Sequence, residues 1–304
     1  MGFLFVNSRA PFIRVRGPDL GRNFKLTLAY DGSQFHGWQV QPGLRTVQGT
    51  LADCVERITG ECTLPQGSGR TDAGVHALAQ VASMRLESSI PARGLLIALN
   101  DVLPAAIRVH AVQEVPDSFH ARHSATAKTY RYRIYRKDIC PPFLANFVHH
   151  DPYPMNEEAL MRASEYVVGT HDFTSFAASD PERSARIAEA EAEVDDPRFP
   201  QNKGEPGAPS NVRTIHSSQW ARTSEELVYT VRGNGFLHHM VRNLVGTFLQ
   251  VGKGALRMED VPTLVAARDR SAAGPTAPAC GLYLVSVEYE PWQAKRQPLE
   301  AAPS

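Results

Sequence analysis

The chain has 304 residues, 42% of them hydrophobic, and its 32 basic and 32 acidic side chains give a formal net charge of zero. The length allows two ordinary domains, and the composition is typical of soluble globular proteins. The balanced charge excludes a strong overall attraction to nucleic acid, so any RNA binding must come from local basic clusters.

Four cysteines, none in a Cys-x-x-Cys pair, predict reduced thiols rather than disulfides or a zinc knuckle. No apolar run is long enough to cross a bilayer, and Met1–Val6 lacks the apolar core of a signal peptide. These features predict a cytoplasmic protein with no membrane partner.

The first part of the chain alternates between predicted strands and helices. Phe24–Tyr30 has the alternation of a strand, and Thr46 is positioned to cap a helix that runs to Thr59. A glycine-rich loop and a second strand follow, then a helix around Leu95 and a strand from Ile107. The order strand, helix, strand, helix, strand is close to a ferredoxin-like unit.

The loop Phe35–Gln39 combines aromatic and polar side chains. Two interpretations are open: it contacts RNA, or it packs onto its own domain, since aromatic residues mostly supply core area.

The most informative stretch is Gly67–Ser83, in which a glycine-rich bend precedes an alternating strand. The bend lacks the Lys-Ser/Thr of a P-loop, and Asp72 occupies the place of the third glycine in a dinucleotide fingerprint. Ala73 and Gly74 leave room for a flat group above the Asp72 carboxylate. The alternative is an Asx-turn, in which this carboxylate bonds its own backbone.

A second informative stretch is Ser118–Lys137, which has no acidic residue after His120. Strand alternation places Tyr130 and Tyr132 on one face and Arg131 and Arg133 on the other. Basic residues interleaved with aromatics suit single-stranded RNA, where phosphates need neutralising and bases stack. A solvated strand face with tyrosines in the core is the alternative interpretation.

The remaining predicted elements follow in chain order. They are a helix Asn156–Val168, a polar insertion Asp180–Asn211, a hairpin Ile215–Arg232, a short helix Glu259–Arg268 and a closing strand Gly281–Tyr289.

The stretch Gly233–Gly246 precedes the predicted helix Glu259–Arg268, and we predict it to be helical from Leu237 onward. The predicted apolar face holds Leu237, Val241, Leu244 and Phe248, and a narrower polar face holds His238, His239, Arg242 and Gly246. From this face Arg242 can reach Asp72 across a cleft, although a plain surface arginine is the alternative. Consecutive helical residues point about 100° apart, so His238 and His239 are not predicted to bind a metal.

Three of these stretches resemble the tRNA pseudouridine synthase A family and occur in the family's order. They are Gly69–Ala77 (Gly-Arg-Thr-Asp-Ala-Gly-Val-His-Ala), Phe119–Arg122 followed by Lys128–Tyr132, and Gly233–Gly246. Weaker similarity occurs at His171–Phe176 and Gly274–Leu282, and the whole resemblance runs from about Phe24 to Tyr289.

The resemblance implies an α+β fold of two ferredoxin-like halves with joined antiparallel sheets, and a homodimer with basic clefts. It implies isomerisation of uridine to pseudouridine at positions 38, 39 and 40 of the tRNA anticodon arm, without a cofactor. The expected divisions are an extension (1–21), two halves (22–117 and 118–290), an insertion (180–211) and a tail (291–304).

The resemblance also assigns roles to single residues. Asp72 is the expected nucleophile, flanked by Arg70 and Arg242, and Tyr130 is expected to cover the target base. The other expected substrate-binding residues are Arg122, Lys128, Arg131 and Val245. Whether the carboxylate attacks C1′ of the sugar or C6 of the base is left open.

Two rival functions remain at this stage. A catalytically silent RNA-binding protein is disfavoured by the intact set of Asp72, Arg70, Tyr130 and Arg242. A carboxylate-dependent nuclease is disfavoured because no second carboxylate stands near Asp72 in the sequence, as two-metal hydrolysis would require.

Overall fold

The computed structural model describes residues 21–178 and 210–291. Its first part contains β1 (Arg22–Tyr30), α1 (Val47–Thr59), β2 (Gln66–Gly67), β3 (His76–Leu86), α2 (Ala92–Val102) and β4 (Ile107–Val115). The second part contains β5 (Ala125–Tyr135), β6 (His149–His150), α3 (Glu157–Ala163), β7 (Gly169–Asp172), β8 (Val212–Arg222), β9 (Glu226–Gly233), α4 (Met240–Gly252), α5 (Val261–Ala267) and β10 (Leu282–Tyr289). The result is a mixed α/β fold.

The described strands form one sheet in the order β4-β1-β3-β10-β5-β9-β8-β7, with β2 beside β3 and β6 beside β5. The neighbours of β1 and β5 on this path all pair with them antiparallel. The pairing that joins the two parts is instead parallel and short, with Tyr283 opposite His76 and Leu284 opposite Ala77. It is short because β2 occupies the same edge of β3 further along, at Ala82 and Ser83.

Two predicted helices, α1 and α3, are confirmed together with the residues that cap them. The Thr46 side chain accepts a hydrogen bond from the Gly49 N–H and begins α1, and Gly60, with a φ of 74°, ends it. Asn156 caps α3 in the same way, and a 3-10 turn continues that helix to Val167.

The predicted start of α4 is wrong. The helix begins at Met240 rather than Leu237, because His239 has a φ of 59° and this left-handed conformation cannot continue an α-helix. Leu237 and His238 therefore belong to the preceding turn. The predicted apolar face is otherwise confirmed, since Val241, Leu244 and Phe248 are buried.

One apolar core runs under the whole sheet. Leu26 and Leu51 from the first part and Tyr229 and Phe248 from the second are all fully buried in the same cluster. This core fixes the loop between β2 and β3 beside the start of α4.

Some expectations lie outside the described residues. These are nearly all of the N-terminal extension, the insertion up to residue 209 and the tail from residue 292. Within the described ranges, no helix combines the length and apolarity needed to cross a membrane.

Candidate active site

The loop that carries Asp72 is held by backbone contacts on both sides. Thr71 accepts a hydrogen bond from the Trp38 N–H at 3.0 Å, and the Gly74 N–H donates to the Phe35 carbonyl at 3.3 Å. Phe35 and Trp38 are themselves buried. The loop Phe35–Gln39 therefore packs onto its own domain, and its packing supports the Asp72 loop.

Gly37 shows how closely these two loops approach. Its φ is 84°, and a Cβ built at this position would lie 2.5 Å from the Thr71 carbonyl oxygen. A side chain here would separate the two loops, so the glycine is required by both conformation and space.

Gln80 holds the beginning of the Asp72 loop in place through hydrogen bonds. Its buried side chain donates to the Gly69 carbonyl at 2.9 Å and accepts from the Ser68 hydroxyl at 2.7 Å. Sequence reasoning missed this residue, because nothing in an alternating strand distinguishes one polar side chain that faces inward.

The Asp72 carboxylate faces α4 and the turn before it. Arg242 Nη1 donates to Asp72 Oδ2 at 2.8 Å, which confirms the predicted reach of this arginine across the cleft. His238 Nε2 lies 3.3 Å from Oδ1, and His239 Nε2 lies 3.3 Å from Oδ2. The carboxylate thus bonds the second part of the chain rather than its own turn, and the Asx-turn interpretation is wrong.

These neighbours determine the ionisation of Asp72, whose side chain is 16% exposed. Burial is the largest single influence and raises the pKa of the carboxyl. The hydrogen bond from His238 and the positive charges of His239 and Arg242 outweigh it and hold the pKa below the usual range. Asp72 is therefore ionised at neutral pH, as a nucleophilic carboxylate must be.

Arg242 is itself fixed in place. Its Nε donates to the Ala277 carbonyl at 2.8 Å, and its own carbonyl accepts from the Ala277 N–H at 3.1 Å. The segment containing Ala277 lies directly against α4 at Gly246, where a Cβ would lie 1.7 Å from the Pro275 carbonyl oxygen. Gly246 thus allows the contact that orients the arginine.

Tyr130 is a buried aromatic residue whose hydroxyl is close enough to Asp72 to respond to its charge. It lies on β5 between Val231 and Leu284, and its ring packs edge-on against Phe236 with centroids 5.0 Å apart. Burial, followed by the charges of Tyr30 and Asp72, raises the pKa of its hydroxyl, which stays protonated. Phe236 lies within a quoted motif, but its contact with Tyr130 was not predicted.

The other predicted site residues differ in how exposed they are. Arg70 and Arg122 are exposed, Arg131 is half-buried, and Lys128 donates to the Ser68 carbonyl at 2.6 Å. Val245 is fully buried in the core, so a direct contact with substrate would require the core to open. Its substrate role stays a prediction that the geometry does not support.

The basic stretch is partly neutralised inside the molecule. Arg133 donates twice to Glu226, at 2.8 and 2.5 Å, and Arg136 is buried against the Asp151 carbonyl. The cations of this stretch that can face RNA are therefore fewer than the sequence suggests.

Asp72, His238 and His239 are also a possible set of metal ligands, since their ligand atoms lie within 4.8 Å of one another. The sequence argument against a metal assumed that both histidines lie on a helix, and that assumption is wrong. The Arg242 cation at 2.8 Å from the carboxylate opposes a second cation at the same place. The charges thus favour an ionised carboxylate paired with arginine over a metal centre.

The comparisons with known proteins agree with this arrangement. A family model described as tRNA pseudouridine synthase matches residues 27–124 and 163–290. The chain is 48% identical to tRNA pseudouridine synthase A of Solibacter usitatus over 268 residues, which cover 88% of this chain and 100% of that protein. The proteins of the same name from Caldicellulosiruptor bescii and Limosilactobacillus reuteri are 39% and 41% identical, over 88% of this chain and 100% and 96% of theirs. The chain belongs to the tRNA pseudouridine synthase family.

Proposed function

We propose that this isomerase converts uridine to pseudouridine at positions 38, 39 and 40 of the tRNA anticodon arm, with Asp72 as the nucleophile. The observation that carries the proposal is the ionised Asp72 carboxylate, paired with Arg242 at 2.8 Å and close enough to Tyr130 for its charge to act on that hydroxyl.

The reaction breaks the bond between N1 and C1′, turns the uracil and joins C5 to C1′. N1 gains a proton and C5 loses one, so there is no redox change. A carboxylate that adds to the substrate and then leaves divides this rearrangement into easier steps. Attack at C1′ or at C6 meets this requirement equally well.

The surrounding residues have supporting roles in this proposal. Arg242 keeps Asp72 ionised and oriented, while the exposed Arg70, two residues before Asp72, adds positive charge for the RNA. A uridine drawn out of its stack loses a few kcal/mol, and stacking on Tyr130 offsets part of that cost. Arg122, Lys128 and Arg131 bind the RNA, with Lys128 on the Tyr130 face of β5 and Arg131 on its other face.

The proposal extends to the architecture. The orders β4-β1-β3-β2 and β10-β5-β9-β8, with two helices between the strands of the first and three between those of the second, support two ferredoxin-like halves divided near residue 117. We also propose a cytoplasmic homodimer that acts on tRNA without a cofactor. All four cysteines lie in the described ranges and are reduced, which is compatible with a reducing compartment.

Release of the C5 hydrogen tests the nucleophile. Transcripts labelled with tritium at uracil C5 should lose label to water with the wild-type chain and stay full length. Asp72→Asn keeps the side-chain size and should release none, while still binding tRNA. Single replacement of the uridines at 38, 39 and 40 by cytidine should remove the corresponding share of the label.

The rivals give different results in this assay. A silent binding protein releases no tritium, and a nuclease shortens the RNA without releasing it. Release by Asp72→Asn at close to the wild-type rate would end the assignment of Asp72.

A further inference from the structure

Lys128 is a half-buried lysine without a carboxylate partner. Its Nζ donates to the Ser68 carbonyl at 2.6 Å, and no carboxylate in the described part of the chain forms an ion pair with it. An ammonium group has three N–H donors, so two are left without a described acceptor. Burial of such a charge is costly unless an anion accompanies it.

Arg213 lies close to this lysine. Lys128 is paired with Gly233 in the register between β5 and β9. Two residues further on, a Cβ built at Gly235 would lie 3.5 Å from both Cδ and Nε of Arg213. The arginine side chain therefore lies along the glycine turn that begins beside Lys128.

Arg122 follows a residue that is anchored to β3, next to β2. The N–H of its neighbour Ala121 donates to Ser83 Oγ at 3.0 Å, and Ser83 pairs with Gln66 of β2. Ser68, which accepts the Lys128 hydrogen bond, comes two residues after Gln66. The backbone next to Arg122 is thus anchored close to the loop that carries Asp72, and the charges of Arg122 and Arg213 both reach Lys128.

Their charges act on one another. Burial, followed by the charges of Arg122 and Arg213, lowers the pKa of Lys128 to about 8. On the loop side, a Cβ at Gly69 would lie 3.1 Å from Nζ, so the absence of a side chain leaves the ammonium accessible there. The half-buried Lys128 ammonium is unfavourable by itself and becomes favourable when an anion lies beside it.

We propose that Lys128, Arg122 and Arg213 bind one backbone phosphate of the substrate RNA next to the nucleotide held over Asp72. The inference rests on the proposed function and adds Arg213 and a ligand, a phosphodiester anion, to it. Because Lys128 also holds Ser68, the phosphate contact is linked through one hydrogen bond to the Asp72 loop.

The proposal has a consequence for pH. A bound phosphate favours the charged lysine and raises its pKa, so RNA binding takes up a proton when the free lysine is neutral. With the free pKa at about 8, the lysine is mostly charged at pH 7 and mostly neutral at pH 9. Affinity should therefore weaken about tenfold from pH 7 to pH 9.

The experiment measures tRNA binding by anisotropy in an Asp72→Asn background, where no turnover interferes. We expect Lys128→Met to lower the slope of log affinity against log salt by about 1 and to abolish the pH dependence. Lys128→Arg should keep the salt slope and lose the pH dependence, because arginine stays charged. Arg213→Gln should lower the slope by about 1 as well.

Arg257→Gln is the matched control, since Arg257 is exposed and paired only locally with Asp260. It should change neither slope nor pH dependence. A Lys128→Met protein with the parent slope, or a Lys128→Arg protein with the parent pH dependence, would overturn the phosphate site. Absence of tRNA binding in the parent itself would instead contradict the proposed function.

Discussion

At the scale of residues, the central feature of the site is a largely buried carboxylate that stays ionised. In the proposed reaction, Asp72 must be sheltered enough to react with a nucleobase or sugar, yet shelter alone would protonate it. A hydrogen bond from His238 and the positive charges of His239 and Arg242 oppose that protonation, and all three residues belong to a single short stretch of the chain. The left-handed His239 turns both imidazoles toward the carboxylate just before α4 begins.

The two histidines can be tested through the pH profile. In the variant His238→Asn plus His239→Asn, burial of Asp72 is retained while two of the groups that lower its pKa are lost. The pKa of Asp72 should rise, so the acid limb of the kcat profile should shift to higher pH. Asparagine tolerates the left-handed conformation at position 239, which preserves the turn.

His110→Asn, a change at an exposed position on β4, serves as the control and should leave the profile unchanged. The measurement is tritium release between about pH 3 and 8, a range that begins below the ordinary pKa of an aspartic acid because the pKa of Asp72 is lowered. An acid limb that stays in place while the rate falls equally at all pH values would contradict the electrostatic role.

At the scale of elements, the sequence predicted what local patterns encode. The caps at Thr46 and Asn156 and the β8–β9 hairpin follow from residue type and spacing, whereas the place of Arg242 beside Asp72 was implied by the family resemblance. Contacts between distant segments were not predictable in this way. Gln80 beneath the loop and Phe236 against Tyr130 depend on tertiary packing that no local period records.

The start of α4 shows most clearly what local patterns cannot predict. Helical periodicity continues through Leu237–His239 in the sequence. In the structure, however, His239 has a left-handed conformation and contacts Asp72. The same error carried over to the metal argument, since it depended on helical geometry at these two histidines. A periodic pattern identifies an element more reliably than it identifies its first residue.

Gly246 provides a test at this scale. A Cβ there would collide with the Pro275 carbonyl oxygen, so Gly246→Ala should push the segment containing Ala277 away from α4. Ala277 holds Nε of Arg242, and we expect kcat to fall at least tenfold with a smaller loss of tRNA affinity. Backbone strain of this kind should also lower the thermal midpoint by several degrees.

Gly254→Ala and Gly43→Ala are informative controls. Both positions are open to a Cβ but have a positive φ, so each should reduce stability without a selective loss of kcat. Gly246→Ala with wild-type kcat at a temperature where it is folded would show that the contact at Pro275 does not position Arg242.

At the scale of the whole molecule, the number of basic side chains available to RNA limits binding. The chain is neutral overall, and Arg133 and Arg136 are bound to partners within the chain. The cations around the Asp72 loop are enough to place one or two phosphates, whereas tRNA binding at physiological salt requires more contacts. A second copy of the chain would double the basic surface available to one tRNA.

We therefore expect a homodimer in solution. Light scattering should give twice the mass of one chain across the concentration range used for activity, with and without tRNA. The salt slope of tRNA binding should exceed the value of about 1 expected from the single phosphate held by Arg122, Lys128 and Arg213. Arg257→Gln should again leave both quantities unchanged. A monomer with full tritium-release activity would refute the expectation, since one neutral chain would then suffice for recognition.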